Sequence, residues 1–300
     1  MAGTFDRIGI VVHPTRDLGG AIGTLREWAD RQGAQVVQLS TNLDAPELAP
    51  RGEAADCDLI VALGGDGTTL AALHLAAPAG KPVLGVACGS LGALAAVTAE
   101  ELPSALDCME RGDWVARAVP GLVADHGDDD LGAINDLVLV RGGAGQVTIE
   151  IEIDGERLIR YAGDGLVAST PLGSTAYTLA AGGPMLVPGT SGLVLTPLAP
   201  HGGVCPPVVT APGTRVVVTI RPGHDGARVE VDGQVRFEAP RGDPHAFSLR
   251  YEPEFAVLVG LGGGESMIAG LRRRRLLVDS PRVQARDDRE DAARDTVTKS

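Results

Sequence analysis

Apolar and polar positions along this 300-residue chain change their rhythm near residue 113. Before it, 7–13 reads as an apolar strand, and 20–31 has helical spacing with Ile22, Leu25, Trp28 and Ala29 on the inward side. Strands at 34–39 and 57–63 follow. A helix over 68–77 comes after a glycine turn, then a strand at 82–87 and a helix over 100–111. Strand–helix alternation of this kind predicts a parallel sheet covered by helices.

Beyond residue 113 the pattern is strands and turns with little helix. Strands are expected at 133–140, 146–153, 158–161, 166–169, 192–196, 214–220, 228–231 and 246–251. Asp154-Gly155 and Asp232-Gly233 are tight hairpin signals. The expected fold is an α/β N-terminal domain with a parallel sheet plus a mainly antiparallel, β-sandwich-like C-terminal domain. The borders fall at 1–112 and 113–262. A helix within 263–278 is expected to pack back on the first domain, and 279–300, a mixture of arginines and acids without apolar periodicity, to lack structure.

Composition narrows the class. Glycine at 41 residues and aromatics at 3% predict an aliphatic core with many tight turns. No apolar run of about 18 residues appears, so no membrane helix is expected. The start of the chain lacks a basic region followed by an apolar stretch. Cys57, Cys88, Cys108 and Cys205 are widely spaced and form no CxxC pair. They read as free or buried thiols of a cytoplasmic protein. A net charge of −13 argues against a nucleic-acid partner but not against small polyanions.

Two glycine-rich signatures carry the chemistry. The first, Gly64-Gly65-Asp66-Gly67-Thr68, follows the apolar run Leu59-Ile60-Val61-Ala62-Leu63. Such a turn lets backbone N–H groups approach phosphate oxygens at a helix start. Asp66 is then the odd residue: a carboxylate beside phosphates is repulsive unless it accepts a proton or helps hold a divalent cation. The second is Gly163-Asp164-Gly165-Leu166, followed by Ser169-Thr170-Pro171-Leu172-Gly173-Ser174-Thr175-Ala176-Tyr177 and by Ala181-Gly182-Gly183-Pro184. Ser169, Thr170, Ser174 and Thr175 are dense enough to line a polar ligand, and Tyr177 offers a ring and a hydroxyl. Both signatures together point to a nucleotide phosphotransferase. His13, His74 and His201 lack metal-ligand spacing and read as structural, Trp28 and Trp114 as core anchors, and Arg272 to Arg275 as a solvated face.

The first signature resembles those of NAD kinases, diacylglycerol and sphingosine kinases and, more distantly, phosphofructokinases. The second is narrower and resembles NAD kinase. Ala133-Ile134-Asn135-Asp136 is similar to that family's Asn-Glu or Asn-Asp pair, and Asp232-Gly233-Gln234 to its late DGQ turn. The resemblance spans about residues 7 to 277. It implies transfer of the ATP γ-phosphoryl group to the 2′-hydroxyl of the adenosine ribose of NAD, with Mg²⁺ or another divalent cation. It implies Asp66 as proton acceptor and orienter of ATP and metal, with Gly64, Gly65, Gly67 and Thr68 at the phosphates. Asp164 would hold the acceptor nucleotide, and Asn135 and Asp136 the ribose hydroxyls. Ser174, Thr175, Ala176, Tyr177, Thr178, Leu179, Ala180 and Gln234 would line the nucleotide pocket. A homo-oligomer, dimer or tetramer, is expected, with neither nucleic acid nor membrane as partner.

Three places depart from the family pattern. Gly89-Ser90-Leu91-Gly92-Ala93-Leu94-Ala95 puts Ala93 where a phenylalanine normally packs on the adenine. Leu172 replaces a threonine, and the segment from His201 to Pro206 lacks the family's arginine. A kinase of the same fold with another nucleoside acceptor, and a nucleotide sensor without activity, therefore stand beside NAD kinase as readings.

Overall fold

Aliphatic strands buried on both faces build the first third of the chain. β1 (Arg7–Val12) is followed by α1 (Ala21–Gln32), β2 (Gln35–Leu39) and the two-residue β3 (Arg51–Gly52). β4 (Leu59–Gly64) runs into α2 (Asp66–Ala76). β5 (Pro82–Ala87), β6 (Val97–Thr98) and α3 (Leu102–Arg111) complete this part. In the computed structural model, residues 5–41, 45–127, 129–187, 189–262 and 267–286 are described.

Neighbouring side chains of each parallel strand enter opposite cores. Ile8, Ile10 and Val12 of β1 and Leu59, Val61 and Leu63 of β4 pack with α1 and α3. Val11, Ile60 and Ala62 pack instead with Ala72 and Leu73 of α2. Continuous apolar runs are what strands covered on both faces require. Trp28 is fully buried and meets Phe5 at a ring separation of 5.8 Å, and Trp114 is half-buried against the same core.

The remainder is almost all strand. β7 (Trp114–His126), β8 (Asp129–Ala133) and β9 (Asp136–Arg141) come first. β10 (Val147–Ile153), β11 (Glu156–Gly163) and β12 (Gly165–Ser169) follow. After α4 (Tyr177–Ala180), a single helical turn, come β13 (Leu193–Leu198), β14 (Val208–Thr210) and β15 (Val216–Arg221). β16 (Ala227–Val231), β17 (Gln234–Ala239) and the long β18 (His245–Leu261) close the series.

One sheet is antiparallel throughout, in the order β14-β13-β12-β9-β16-β17. The other runs β11-β10-β15-β18-β5-β4-β1-β2-β3. β18 joins its halves, pairing antiparallel with β15 at its start and parallel with β5 through Val257 and Leu258. The two sheets face each other over Leu122, Leu139, Ile149, Leu166, Val218 and Phe247. The parallel and sandwich parts thus share a sheet, and residues 1–262 make up one unit. The border at 112/113 falls just before β7, which lies along β18 on both sides of a bulge.

β7 and the full length of β18 exceed what the pattern predicts, because Pro120-Gly121 and Pro253 read as breaks. The ladder does break between Glu252 and Ala256, where Pro253 supplies no donor, and then resumes. Phe255 enters there over Gly121 and Gly132, at each of which a Cβ would collide with its ring. Both predicted hairpins form. Asp154-Gly155 and Asp232-Gly233 have positive φ at both positions (53° and 86°, 49° and 77°), the geometry of two-residue type I′ turns.

Residues 263–300 are a second unit. Within it α5 spans Met267–Arg273, and Arg272 holds Asp279 through two hydrogen bonds of 2.9 and 3.1 Å. Residues 281–286 are helical where no structure was expected. Residues 287–300 of the expected tail, and Ser266 of the expected helix, lie outside the described residues.

Candidate active site

Asp66 opens α2 at the carboxyl edge of the parallel strands, where ligands of such sheets bind. Its carboxylate is seated from the next strand–loop junction: Oδ2 accepts the N–H of Ala93 at 2.8 Å and Oδ1 that of Leu94 at 2.9 Å. A Cβ on Gly92 would collide with that carboxylate, so this loop needs a glycine beside Asp66. The ends of β4 and β5 are tied by Cys88 N–H to the Gly64 carbonyl at 2.7 Å.

Of the predicted phosphate residues, Gly65 is half-buried and Gly67 exposed at the first turn of α2, whose leading N–H groups have no intrahelical partners. Gly64 and Thr68 are buried. The Thr68 side chain packs where a Cβ on Gly64 would stand, and its hydroxyl has no hydrogen-bond partner. Thr68 is therefore part of the turn's packing, a correction to its expected place among open contacts.

Asn135 and Asp136 are positioned by a residue outside their own segment. The buried Asp232 carboxylate accepts the N–H groups of Ile134 (2.9 Å), Asn135 (2.7 Å) and Asp136 (3.0 Å). Its Oδ2 also stands 2.6 Å from His74 Nε2, so α2 is tied to the segment that precedes β9. Burial, and then the negative charges of Asp232 and Glu230, push the Asp136 carboxyl up to about 7. Asn135 remains half-buried with its carbonyl accepting the N–H of Thr170 at 2.9 Å.

The hydroxyl-rich loop departs from its expected role. Thr170 Oγ1 donates to the Ile134 carbonyl at 2.6 Å and accepts the N–H of Gly173 at 3.1 Å. Ser174 Oγ donates to the Pro171 carbonyl and accepts the N–H of Leu186. Thr178 donates to Ser169 Oγ at 2.7 Å. All four of these residues are fully buried. Ser174 and Thr178 thus brace the loop internally and offer no hydroxyl to a ligand, because burial obliges each to find a protein partner. Thr175 is half-buried and bonded to the Leu172 carbonyl, whereas Ala176, Tyr177 and Ala180 are exposed and Leu179 is half-buried. Gly173 must be glycine, since a Cβ would collide with the Asn135 carbonyl. Leu172, standing where the family has threonine, packs against the α2-side core.

Asp164 lies apart from this group. It sits just before β12, ion-paired with Arg141 Nε at 2.8 Å, while Asp136 faces Ser169 at the other end of the same strand. Four residue steps of strand put about 13 Å between those ends. A cleft of about 310 Å³ between α2 and the β16–β17 turn does bring Gly67 and Gln234 together, with His74 and Arg236. None of the other predicted site residues lines it. Sequence reasoning did not place Arg16, His74, Gly92 or the Asp232 carboxylate in the site. The signal available was topological: Arg16 follows β1, and adjacent parallel strands deliver their following loops to one edge.

The fold is that of the NAD kinase structures. Yeast NADH kinase complexed with NADH superposes with a TM-score of 0.73 over 93% of this chain and 89% of its own, at 22% identity. An Archaeoglobus fulgidus NAD kinase in complex with ATP gives 0.66 over 85% and 93%, at 23% identity. Residues 8–114 match the ATP-NAD kinase N-terminal domain and residues 134–257 the ATP-NAD kinase C-terminal domain. The NAD kinase of Gemmatimonas aurantiaca is 35% identical over 268 residues, 86% of this chain and 91% of its own. NAD kinase 1 of Streptomyces coelicolor is 32% identical over 94% of this chain and 89% of its own. The chain belongs to the NAD kinase family.

Proposed function

We propose that this chain is an NAD kinase, transferring the γ-phosphoryl group of ATP to the 2′-hydroxyl of the adenosine ribose of NAD to give NADP. The observation that carries the reading is the seat of Asp66. A carboxylate clamped by two backbone N–H groups at the start of α2 is held in fixed geometry beside a phosphate-binding turn. Each oxygen accepts one bond, which leaves lone pairs free for a substrate hydroxyl or a cation. In the reaction the 2′-oxygen forms a bond to the γ-phosphorus, the bond to the ADP oxygen breaks, and Asp66 receives the hydroxyl proton.

A divalent cation, Mg²⁺ in the first place, fits this site as the partner of ATP. Among the described residues no group of three or more His, Cys, Asp or Glu side chains could hold a metal. One carboxylate plus substrate phosphates is the usual way Mg²⁺ is held in such sites, and Asp66 supplies that carboxylate. The bound cation would neutralise charge on the transferring phosphates.

Asn135 and Asp136 hold ribose hydroxyls of NAD, on a segment fixed by Asp232. Ala176, Tyr177, Leu179 and Ala180 meet the acceptor from the exposed side of α4, with Thr175 beside them, and Gln234 from its turn. Asp164, about one strand length from Asp136, meets another part of the extended acceptor dinucleotide, and the homo-oligomer is proposed on the family resemblance alone. Small-molecule substrates are proposed with neither nucleic acid nor membrane as partner; the net charge of −13 argues against nucleic acid. Four free thiols support the reducing cytoplasm, and no described helix is long and apolar enough to cross a membrane.

Asp66→Asn tests the reading: turnover should fall by about 10²–10⁴-fold. Turnover within about threefold of wild type would remove Asp66 as the proton acceptor. A second reading, another nucleoside as acceptor, draws on Ala93, which is exposed and brings no ring to an adenine.

A further inference from the structure

Arg16 stands where the donor phosphates would come, and it is held there. The turn after β1 is fixed by His13, whose Nδ1 accepts the backbone N–H groups of Thr15 at 3.2 Å and Arg16 at 3.0 Å. The guanidinium then reaches across the carboxyl ends of β4 and β5. Its Nη1 lies 3.5 Å from the Gly64 carbonyl oxygen. It also lies 3.2 Å and 3.1 Å from the positions that Cβ atoms on Gly65 and Gly89 would occupy. Two glycines from two strand–loop junctions therefore leave its room, and a side chain at either would press on it.

Charge makes the placement informative. Arg16 is exposed, and among the described residues no carboxylate lies within 4.0 Å of it. Asp66 opens the same glycine turn in a chain of net charge −13, so a polyphosphate arriving there, even with one divalent cation, brings negative charge that calls for a protein cation. The N-terminus of α2 supplies only a partial positive charge. We infer that Arg16 binds the phosphate chain of the donor nucleotide, forking N–H groups onto its oxygens. The inference rests on the kinase reading above. The donor is favoured over the acceptor diphosphate because Arg16 adjoins the Asp66 turn, whereas the acceptor's ribose residues lie at the start of β9.

Calorimetric titration of the full chain with ATP, with NAD and with inorganic triphosphate tests this in wild type, Arg16→Lys and Arg16→Ala. ATP and triphosphate binding should weaken about 10–100-fold in Arg16→Ala, the range of a lost charge-assisted fork, with NAD binding unchanged within about threefold. Arg16→Lys should fall between, since it keeps the charge but not the planar fork. The melting temperature should not move, because the side chain is exposed. ATP binding in Arg16→Ala within about twofold of wild type, or NAD weakened as much as ATP, overturns the inference. Loss of triphosphate binding in Arg16→Ala, together with a wild type that leaves NAD unphosphorylated, would keep Arg16 and sink the NAD kinase reading alone.

Discussion

His74 on α2 and Asp232 on the β16–β17 turn are joined across 158 residues of sequence by a 2.6 Å contact between Nε2 and Oδ2. The His74 ring also meets the edge of Phe255 at 6.3 Å, so a histidine with no metal-ligand spacing locks the Asp66 helix to the segment carrying Asn135 and Asp136.

Asp232 should matter more to stability than His74. Asp232→Asn forfeits charge assistance in four contacts and leaves a buried N–H facing an amide. We expect about 3–5 kcal/mol of destabilisation. The strain-tolerant Asn accepts the left-handed backbone there, so the turn itself is not the cause. His74→Ala removes one contact and should cost about 1–3 kcal/mol. Urea unfolding midpoints at constant slope measure both. A His74→Ala loss equal to or above that of Asp232→Asn would contradict the hub described for Asp232.

Asp136 should make the fold lose stability as pH rises from about 4 to about 7. Its carboxyl is raised to about 7 in the folded protein, mainly by burial. The folded state thus binds the proton more tightly than the unfolded chain, and the stability this brings is lost as pH rises toward 7. Asp136→Asn, which cannot ionise, should gain on wild type by about 2–3 kcal/mol between about pH 5 and pH 8. Parallel unfolding curves at the two pH values decide it, and a constant gap would contradict the raised carboxyl.

Ala93→Phe probes the acceptor. Ala93 is exposed and its N–H holds Asp66, so a ring can be added without disturbing a core. If adenine sits over this position, the apparent NAD constant should fall about tenfold, from about 1.4 kcal/mol of stacking. An acceptor of another shape would be obstructed. Initial-rate measurements on NAD before and after substitution read the difference, and an unchanged or weaker constant would contradict the adenine placement.

Much of the fold is legible in local pattern, because doubly buried parallel strands are continuous apolar runs and type I′ hairpins favour Asp-Gly. β18 is not, since Pro253 looks like a terminus while the strand survives it as a bulge that admits Phe255. In the site, Asp66 and the glycines around it are readable because each follows a strand. The hydroxyls of Ser169, Thr170, Ser174 and Thr178 mislead. Composition shows that a loop is polar but not whether its polar atoms face a ligand or the protein itself: Thr170 and Ser174 bond backbone groups, and Thr178 bonds Ser169. Arg16 and His74 are invisible for the opposite reason: each acts through neighbours that only the sheet order brings near.

The most direct test of the central claim is NADP formation by the purified full chain supplied with ATP, Mg²⁺ and NAD, read by an NADP-specific dehydrogenase, with NADH and common nucleosides offered in parallel. NADP should appear, with ADP formed in equal amount, and should fall sharply in Asp66→Asn. No NADP alongside turnover of another nucleoside would contradict the account.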